Sequence, residues 1–367
     1  MNLFKVGCNF SDDLLKIAIK LNRLYPNNRI EEFYGSRRNS AWLTARPEYR
    51  LPDVSKEQFA EFVDILHKNS IEFNYTLNAS CIGTKSEIKN NEGKAKQYIE
   101  FLVSSGVDTI TVSLPYVAKL VRDVSSEIKI EVSTIAHIDS VTQVSIWAEK
   151  YDIKKVCISL NKNRDIAFLE SIAKHCDKLG IIPTLMVNEF CGNGITGQSG
   201  ATGCIYREHC YQLHSLGYDR EERLDDDYPM GECIASRDIK ISWLKMPFIR
   251  PEDMKLYNNL GLNHFKITGR TGSTRYIESV IQAYMSESYI GNTLNLWKHL
   301  ETIKGVTEHD FLPKYFIDNK KLDGFLDYWF DNRNHICANE VCGETCTYCD
   351  EFLRRMDEET CRKSYDD

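Results

Sequence analysis

Short β-rich runs alternate with longer amphipathic stretches through the first 290 residues, and this alternation constrains the fold more than any other feature of the chain. Strands separated by helical segments read as parallel strands joined by helical crossovers. The candidate strands are Leu3 to Asn9, Arg29 to Gly35, Glu72 to Asn78, Thr109 to Leu114, Lys129 to Thr134, Lys155 to Leu160, Ile182 to Asn188 and His264 to Gly269. The helical stretches are Asp12 to Leu24, Lys56 to Lys68, Gly93 to Ser105, Val141 to Tyr151, Ile166 to Leu179, Pro251 to Leu260 and Thr274 to Tyr289. Eight strands alternating with helices is the count of a (β/α)8, TIM-like barrel. An open doubly wound sheet is the runner-up. The Gly-rich dinucleotide turn it favours is missing after the first strand, where Gly7-Cys8-Asn9-Phe10-Ser11 has one glycine.

Helix punctuation agrees with the barrel. Ser11 precedes Asp12-Asp13, Asp53 precedes Val54, and Arg250-Pro251-Glu252-Asp253 opens a helix with a first-turn proline and acids. Gly106, Gly180 and Gly261 each stand between a helix and the next strand, where a left-handed residue returns the chain to the barrel. At 367 residues the chain accommodates one domain of roughly 250 residues with an appendage. The division expected is a barrel over residues 1–295, with a long loop at 188–250, and a C-terminal extension over residues 296–367.

A formal net charge of −7 argues against broad binding to a phosphate backbone, which weakens RNA as a substrate without closing that option. A local cluster such as Arg37, Arg38 and Arg46 could still hold one anion. Met1 to Asn9 lacks the long apolar stretch and cleavage site of a signal peptide, and no window approaches the roughly 20 apolar residues of a membrane helix. The expectation is a cytoplasmic protein without a membrane contact, where thiols stay reduced and available for metal.

Eight of the thirteen cysteines fall into two groups. The first is Cys191, Cys204, Cys210 and Cys233, on the long connection that follows the seventh strand. Barrels carry their chemistry at the C-terminal strand ends and in the loops beyond them. A connection of this length in a compact domain is usually functional. Its irregular cysteine spacing favours a [4Fe-4S] centre over a zinc site built from close pairs, with unliganded thiols as the remaining alternative. Cys157 and Cys176 lie within an apolar strand and a helix, where burial as small hydrophobes is the better reading.

The run Ile182 to Cys191, followed by Cys204-Ile205-Tyr206-Arg207-Glu208-His209-Cys210, resembles the collagenase-like peptidase family, peptidase family U32. Glu131-Val132-Ser133-Thr134 upstream belongs to the same likeness, as do Ile249-Arg250-Pro251-Glu252-Asp253 and Phe265-Lys266-Ile267-Thr268-Gly269-Arg270 downstream. The likeness spans roughly residues 1–296 and is closest to the shorter, cluster-bearing members. It implies a [4Fe-4S] cluster on Cys191, Cys204, Cys210 and Cys233. It also implies oxygen-independent hydroxylation of a small molecule or of RNA bases, with an anionic donor such as prephenate as oxygen source. In place of the His-Gly-Ala-Leu-Cys tract of longer members, this chain has Val187-Asn188-Glu189-Phe190-Cys191. Proteolysis, which the family name suggests, has little local support: neither a Gly-x-Ser-x-Gly elbow nor an H-E-x-x-H helix occurs.

Polar residues around this group supply the candidate site. Glu189, two residues before the first thiol, is a candidate proton donor or acceptor, and Arg270 and Arg207 join it as candidate catalytic residues. Arg37, Arg38, Lys245, Arg250 and Asn188 are candidate substrate contacts, because guanidinium and ammonium groups at strand ends can pair with a carboxylate. The bland reading of each is a solvated or loop-orienting side chain. The second group, Cys337-x4-Cys342-x3-Cys346-x2-Cys349, packs four thiols into thirteen residues. It is expected to hold either a second iron–sulfur cluster or zinc. If iron, it could pass electrons to the barrel site; if zinc, it would hold a small extension without a core of its own. The reading is an iron–sulfur enzyme, served by an electron donor and open to a hetero-oligomeric partner. A zinc-stabilised scaffold and a genuine peptidase are the alternatives.

Overall fold

Every strand of the barrel runs parallel to its neighbours, and the sheet closes on itself in the order β1 to β8. The computed structural model describes residues 1–40, 42–46, 48–189, 215, 240–269, 272–302 and 316–363. The strands are β1 (Asn2–Gly7), β2 (Asn28–Gly35), β3 (Glu72–Leu77), β4 (Thr109–Val112), β5 (Lys129–Val132), β6 (Lys155–Cys157), β7 (Ile182–Met186) and β8 (His264–Ile267). Closure is made by β1 against β8, with Leu3 opposite His264 and Val6 opposite Ile267. This is the (β/α)8 architecture the alternation predicts.

All eight predicted strands start within one residue of the observed ones, and all but the second, which ends at Gly35 as predicted, run past them at the C-terminal end. The overrun residues, such as Asn78, Ser133 and Asn188, turn out of the ladder to form the mouth of the barrel.

The helices start where their side chains can hold the free backbone N–H groups. In α1 (Asp12–Leu24) the Ser11 hydroxyl accepts from Asp13 N at 3.2 Å, and Leu14, Leu15, Ala18 and Leu21 form the buried stripe. The cap of α2 (Lys56–Lys68) is Ser55, in a reciprocal box with Gln58, and not Asp53 as the sequence reading places it. Asp53 is engaged elsewhere, by Arg38 at 3.0 Å. A similar box of Thr84 and Glu87 starts α3 (Lys85–Ser104) eight residues before the predicted position. The sequence reading misses α4 (Pro115–Val124), a crossover that opens on a proline. The next two crossovers, α5 (Val141–Tyr151) and α6 (Ile166–Leu179), have the predicted bounds. Gly180 closes α6 at φ +64°, the left-handed turn that its position predicts.

Alternate strand residues face the helices, among them Phe4, Val6, Phe33, Phe73, Ile110, Ile130, Val156 and Phe265, and all belong to one apolar cluster. The other set faces the lumen and is charged. Lys5 on β1 reaches Glu131 on β5 at 2.9 Å, and Lys155 on β6 bonds Glu32 on β2. These strands are not neighbours in the sheet, so both contacts cross the barrel interior. Asn74 ties the set together by donating to Glu32 at 2.9 Å and to Glu131, while accepting from Thr111 at 2.6 Å. Lumens of such barrels are ordinarily filled by branched apolar side chains. Here oriented hydrogen bonds do that packing.

Beyond α7 (Thr274–Met285) the chain leaves the repeat. Phe325, Trp329, Tyr348 and Phe352 stack among themselves, and Phe325 stacks on Phe248 at 6.1 Å. The C-terminal segment therefore shares the barrel's apolar cluster rather than forming its own. Among the described residues no helix is long and apolar enough to cross a membrane.

Candidate functional site

The C-terminal strand ends converge on a ring of small polar groups. Ser113 donates to Asn78 O at 2.8 Å, and Asn78 reaches the Ser133 hydroxyl at 3.4 Å. On the opposite side Asn188 accepts from Thr268 N at 2.7 Å and donates to Leu296 O at 3.1 Å. The long connection after β7 is described at Ser215, whose hydroxyl accepts from Ser80 N at 3.0 Å. Ser80 follows β3, the strand four places from β7 around the barrel, so Ser215 stands on the side opposite the strand its connection leaves.

The floor of the mouth contains an unusual cation. Lys266 on β8 lies level with Met186, the last residue of β7, and is only 6 % exposed. Its ammonium sits 4.1 Å from the centre of the Tyr34 ring, near the end of β2, and among the described residues makes no hydrogen bond or ion pair. A cation–π contact contributes about 0.5–2 kcal/mol. Taking an ammonium out of water costs several kcal/mol. The ring alone would not offset full desolvation, and the ammonium is not fully enclosed but keeps contact with the mouth. Lys5 and Lys155, deeper in the lumen, both have carboxylates. Beside this floor, Glu131 Oε1 and Thr184 Oγ1 are buried without hydrogen-bond partners. Cys157, Leu160 and Met186 form a small apolar patch apart from the main core. Burial pushes the Cys157 thiol up to about 11, so this group stays protonated and is no nucleophile. Cys8 and Cys176 are likewise raised to about 12 by burial.

At the other end of the lumen, burial raises Glu31 to about 7, and burial followed by the charges of Lys5 and Lys155 lowers His264 to about 4. The two side chains are 3.7 Å apart. Their position at the N-terminal strand ends is the stability face of such a barrel, not its reactive one.

The residues singled out from the sequence are distributed unevenly. Arg37 is buried and donates from Nε to Val54 O at 2.6 Å, and Arg38 pairs with Asp53, so both brace the connection between β2 and α2. Arg250, 1 % exposed, grips Asp253 through two bonds of 2.7 and 2.8 Å and also binds Asn319 O and Asp323. Four of its five N–H donors are taken, two by Asp253 and two by the C-terminal segment, so it serves as a clamp between segment and barrel rather than as an open fork for a substrate. Lys245 pairs with Asp350 at 3.6 Å, and buried Asn188 locks β7 to β8. Glu189 is half-buried at the mouth. Arg207, Arg270, Cys191, Cys204, Cys210 and Cys233 lie outside the described residues. Lys266, Glu131 and Tyr34 were not singled out from the sequence as site residues. The signal that marks the first two is a charge flanked by apolar neighbours inside a strand, as in Phe265-Lys266-Ile267 and Ile130-Glu131-Val132.

The C-terminal thiols are neighbours. Cys349 lies within electrostatic reach of Cys337, Cys342 and Cys346; burial, the larger effect, pushes its thiol up to about 12. Trp329 Nε1 donates to Cys337 Sγ at 3.2 Å, and His335 Nε2 stands 3.8 Å from Cys346 Sγ. Buried Arg164 stacks over Trp329 at 4.6 Å, close enough to act on Cys349, with Nε and one terminal nitrogen unpartnered. Even so, among the described residues no three His, Cys, Asp or Glu side chains are arranged to hold a metal ion. The donor chemistry suits a soft metal, whereas the present rotamers do not form a coordination shell.

A closed parallel barrel with a charged lumen and a long connection after its seventh strand is a (β/α)8 protein of the kind whose sites lie at the C-terminal mouth. A family model described as peptidase family U32 matches residues 41–182. An uncharacterized protease of Methanocaldococcus jannaschii is 30% identical over 305 residues, covering 82% of this chain and 81% of its own length. The chain belongs to peptidase family U32. A solved U32 peptidase aligns over 73% of this chain and 93% of its own, at 11% identity and a TM-score of 0.47. A GH113 β-1,4-mannanase aligns over 77% and 97%, at 10% identity and a TM-score of 0.37.

Proposed function

We propose that this U32-family chain is an iron–sulfur enzyme performing oxygen-independent hydroxylation, or related redox or group transfer, on a small-molecule or modified macromolecular substrate. The observation that carries the reading is the connection after β7. It holds Cys191, Cys204, Cys210 and Cys233, and its Ser215 meets Ser80 beyond the C-terminal end of β3. A [4Fe-4S] cluster on those four thiolates would supply electron transfer or Lewis-acid chemistry at the mouth. The chain's own contribution is a ring of Asn78, Ser133, Thr268 and Asn188 that fixes the mouth's shape. Glu189 at its rim is the candidate proton carrier, with Arg207 and Arg270 as its candidate partners. Thiolate ligands require a reducing, cytoplasmic setting. An anionic donor such as prephenate fits the resemblance to cluster-bearing members.

The C-terminal thiols are proposed to take a second metal, iron–sulfur or zinc, by rotating onto it. The N–H···S bond from Trp329 and the two unpartnered guanidinium nitrogens of Arg164 support this, since both suit an anionic thiolate site. No reaction step is assigned to it.

Purification without oxygen, with iron, sulfide and zinc analysis and a visible spectrum, tests the reading. Four iron atoms per chain lost on Cys191→Ala, with broad absorbance near roughly 400 nm, is the expected result. Colourless, iron-free protein overturns it and leaves a zinc-stabilised scaffold. Casein hydrolysis that survives Cys191→Ala would favour the peptidase that the family's name and its archaeal relative's name suggest.

A further inference from the structure

We infer that Lys266 is the anion-recognition residue of the barrel mouth and that the ligand it takes is a small hydroxylated carboxylate. The inference rests on the mouth being the reaction site, and it holds whatever the cysteines bind. Among the lumen's three most buried lysines, Lys5 meets Glu131 and Glu32, and Lys155 meets Glu32 and Glu72. Lys266 meets only the face of Tyr34. Its height in the barrel separates it from the structural network: it stands level with the last residue of β7, where substrates enter. A cation with no carboxylate at ion-pair distance among the described residues is an arrangement that a bound anion completes.

Two unpartnered polar groups of the lumen narrow the ligand. Thr184 Oγ1 is buried without a partner and can donate to a carboxylate oxygen, while Glu131 Oε1, equally unpartnered, can only accept from a ligand hydroxyl or amine. The standing charge of Glu131 disfavours a dianionic phosphate and admits a single carboxylate bearing a donor. Tyr34, held in place by its hydroxyl bond to Ile267 O at 3.0 Å, forms the wall on which Lys266 rests.

The test uses the full-length protein with glycolate, acetate and inorganic phosphate as probes at matched ionic strength. Thermal unfolding of the wild type should shift upward with glycolate more than with acetate, and least with phosphate. Lys266→Met should bind glycolate about tenfold or more weakly. It should also unfold at a temperature no lower than the unliganded wild type, because among the described residues no ion pair or hydrogen bond is lost with the ammonium. Lys266→Arg should keep the glycolate response. Should Lys266→Met lower the midpoint, the ammonium is structural and the assignment fails; equal glycolate shifts in wild type and Lys266→Met, or none in either, overturn it too. If Lys266→Met does not fold, trinitrobenzenesulfonate labelling of wild-type Lys266 decides, with glycolate protection expected and unprotected labelling refuting the site. Iron content, measured in parallel, reports separately on the cluster reading.

Discussion

Glu32 offers a direct test of whether the charged lumen holds the barrel together. The side chain is 0 % exposed, bonds Lys155, accepts from Asn74 at 2.9 Å and lies 3.7 Å from Lys5. Burial alone would raise its carboxyl. The charges of Lys5 and Lys155, with the bonds from Lys155 and Asn74, more than reverse that and bring it from 4.5 down to about 2. At about 1.4 kcal/mol per pH unit, that displacement corresponds to about 3 kcal/mol of stability. Removing one partner of a buried pair costs about 3–5 kcal/mol by comparison with other proteins, so the two routes agree. Glu32→Gln keeps the volume and the bond from Asn74 but leaves Lys155 with Glu72 alone. Urea unfolding at pH 7 should show a loss of about 3 kcal/mol, and the thermal midpoint should fall by roughly 6 °C at about 2 °C per kcal/mol. A depressed carboxyl contributes its full stability above the unfolded value near 4.5 and loses it as pH drops toward 2. The gap between wild type and variant should therefore narrow below about pH 4.5. A gap that stays constant from pH 7 to pH 3, or one under about 1 kcal/mol at pH 7, refutes the reasoning.

Further outcomes follow from single side chains. Glu31, held up to about 7, keeps its proton when the unfolded chain has lost it, so stability declines as pH rises from 4.5 to 7. Glu31→Gln should therefore stabilise the protein at pH 8 and leave it nearly unchanged at pH 4.5, as read by thermal scans. Arg250→Met strands buried Asp253 and frees Asn319 and Asp323, and should cost about 3–5 kcal/mol. Limited trypsin digestion of that variant should cut the C-terminal segment first. Gly180→Ala forces a side chain into φ +64° at the end of α6 and should cost about 1–2 kcal/mol in urea unfolding.

The barrel is legible in the sequence because its signals are local. Ser11 and Gly180 sit where the backbone needs a cap or a left-handed turn, and the apolar runs of β1 to β8 recur between amphipathic stretches. α4 escapes notice because Tyr116-Val117-Ala118 and Leu120-Val121 are as rich in β-formers as a strand. The site is harder to read, because its partners are remote in sequence. Arg250 at a strand-like mouth motif reads as a substrate clamp, and only the fold brings Asn319 and Asp323 to it. Arg37 and Arg38 likewise brace a loop whose closure no local pattern announces. Lys266 is the converse: within Phe265-Lys266-Ile267 it looks like an edge residue of a strand, and closure of the barrel is what buries it.

Charge partners across the lumen also limit how this barrel can be recombined. Strands β1 to β4 contribute Lys5, Glu32 and Asn74, while β5 to β8 contribute Glu131 and Lys155, and each half completes the other's hydrogen bonds. A chimera that joins either half to a relative with an apolar lumen inherits widowed ions at its centre. Drift in these positions is thus expected to proceed by matched exchanges on opposite strands, and the two halves to travel as one inheritance.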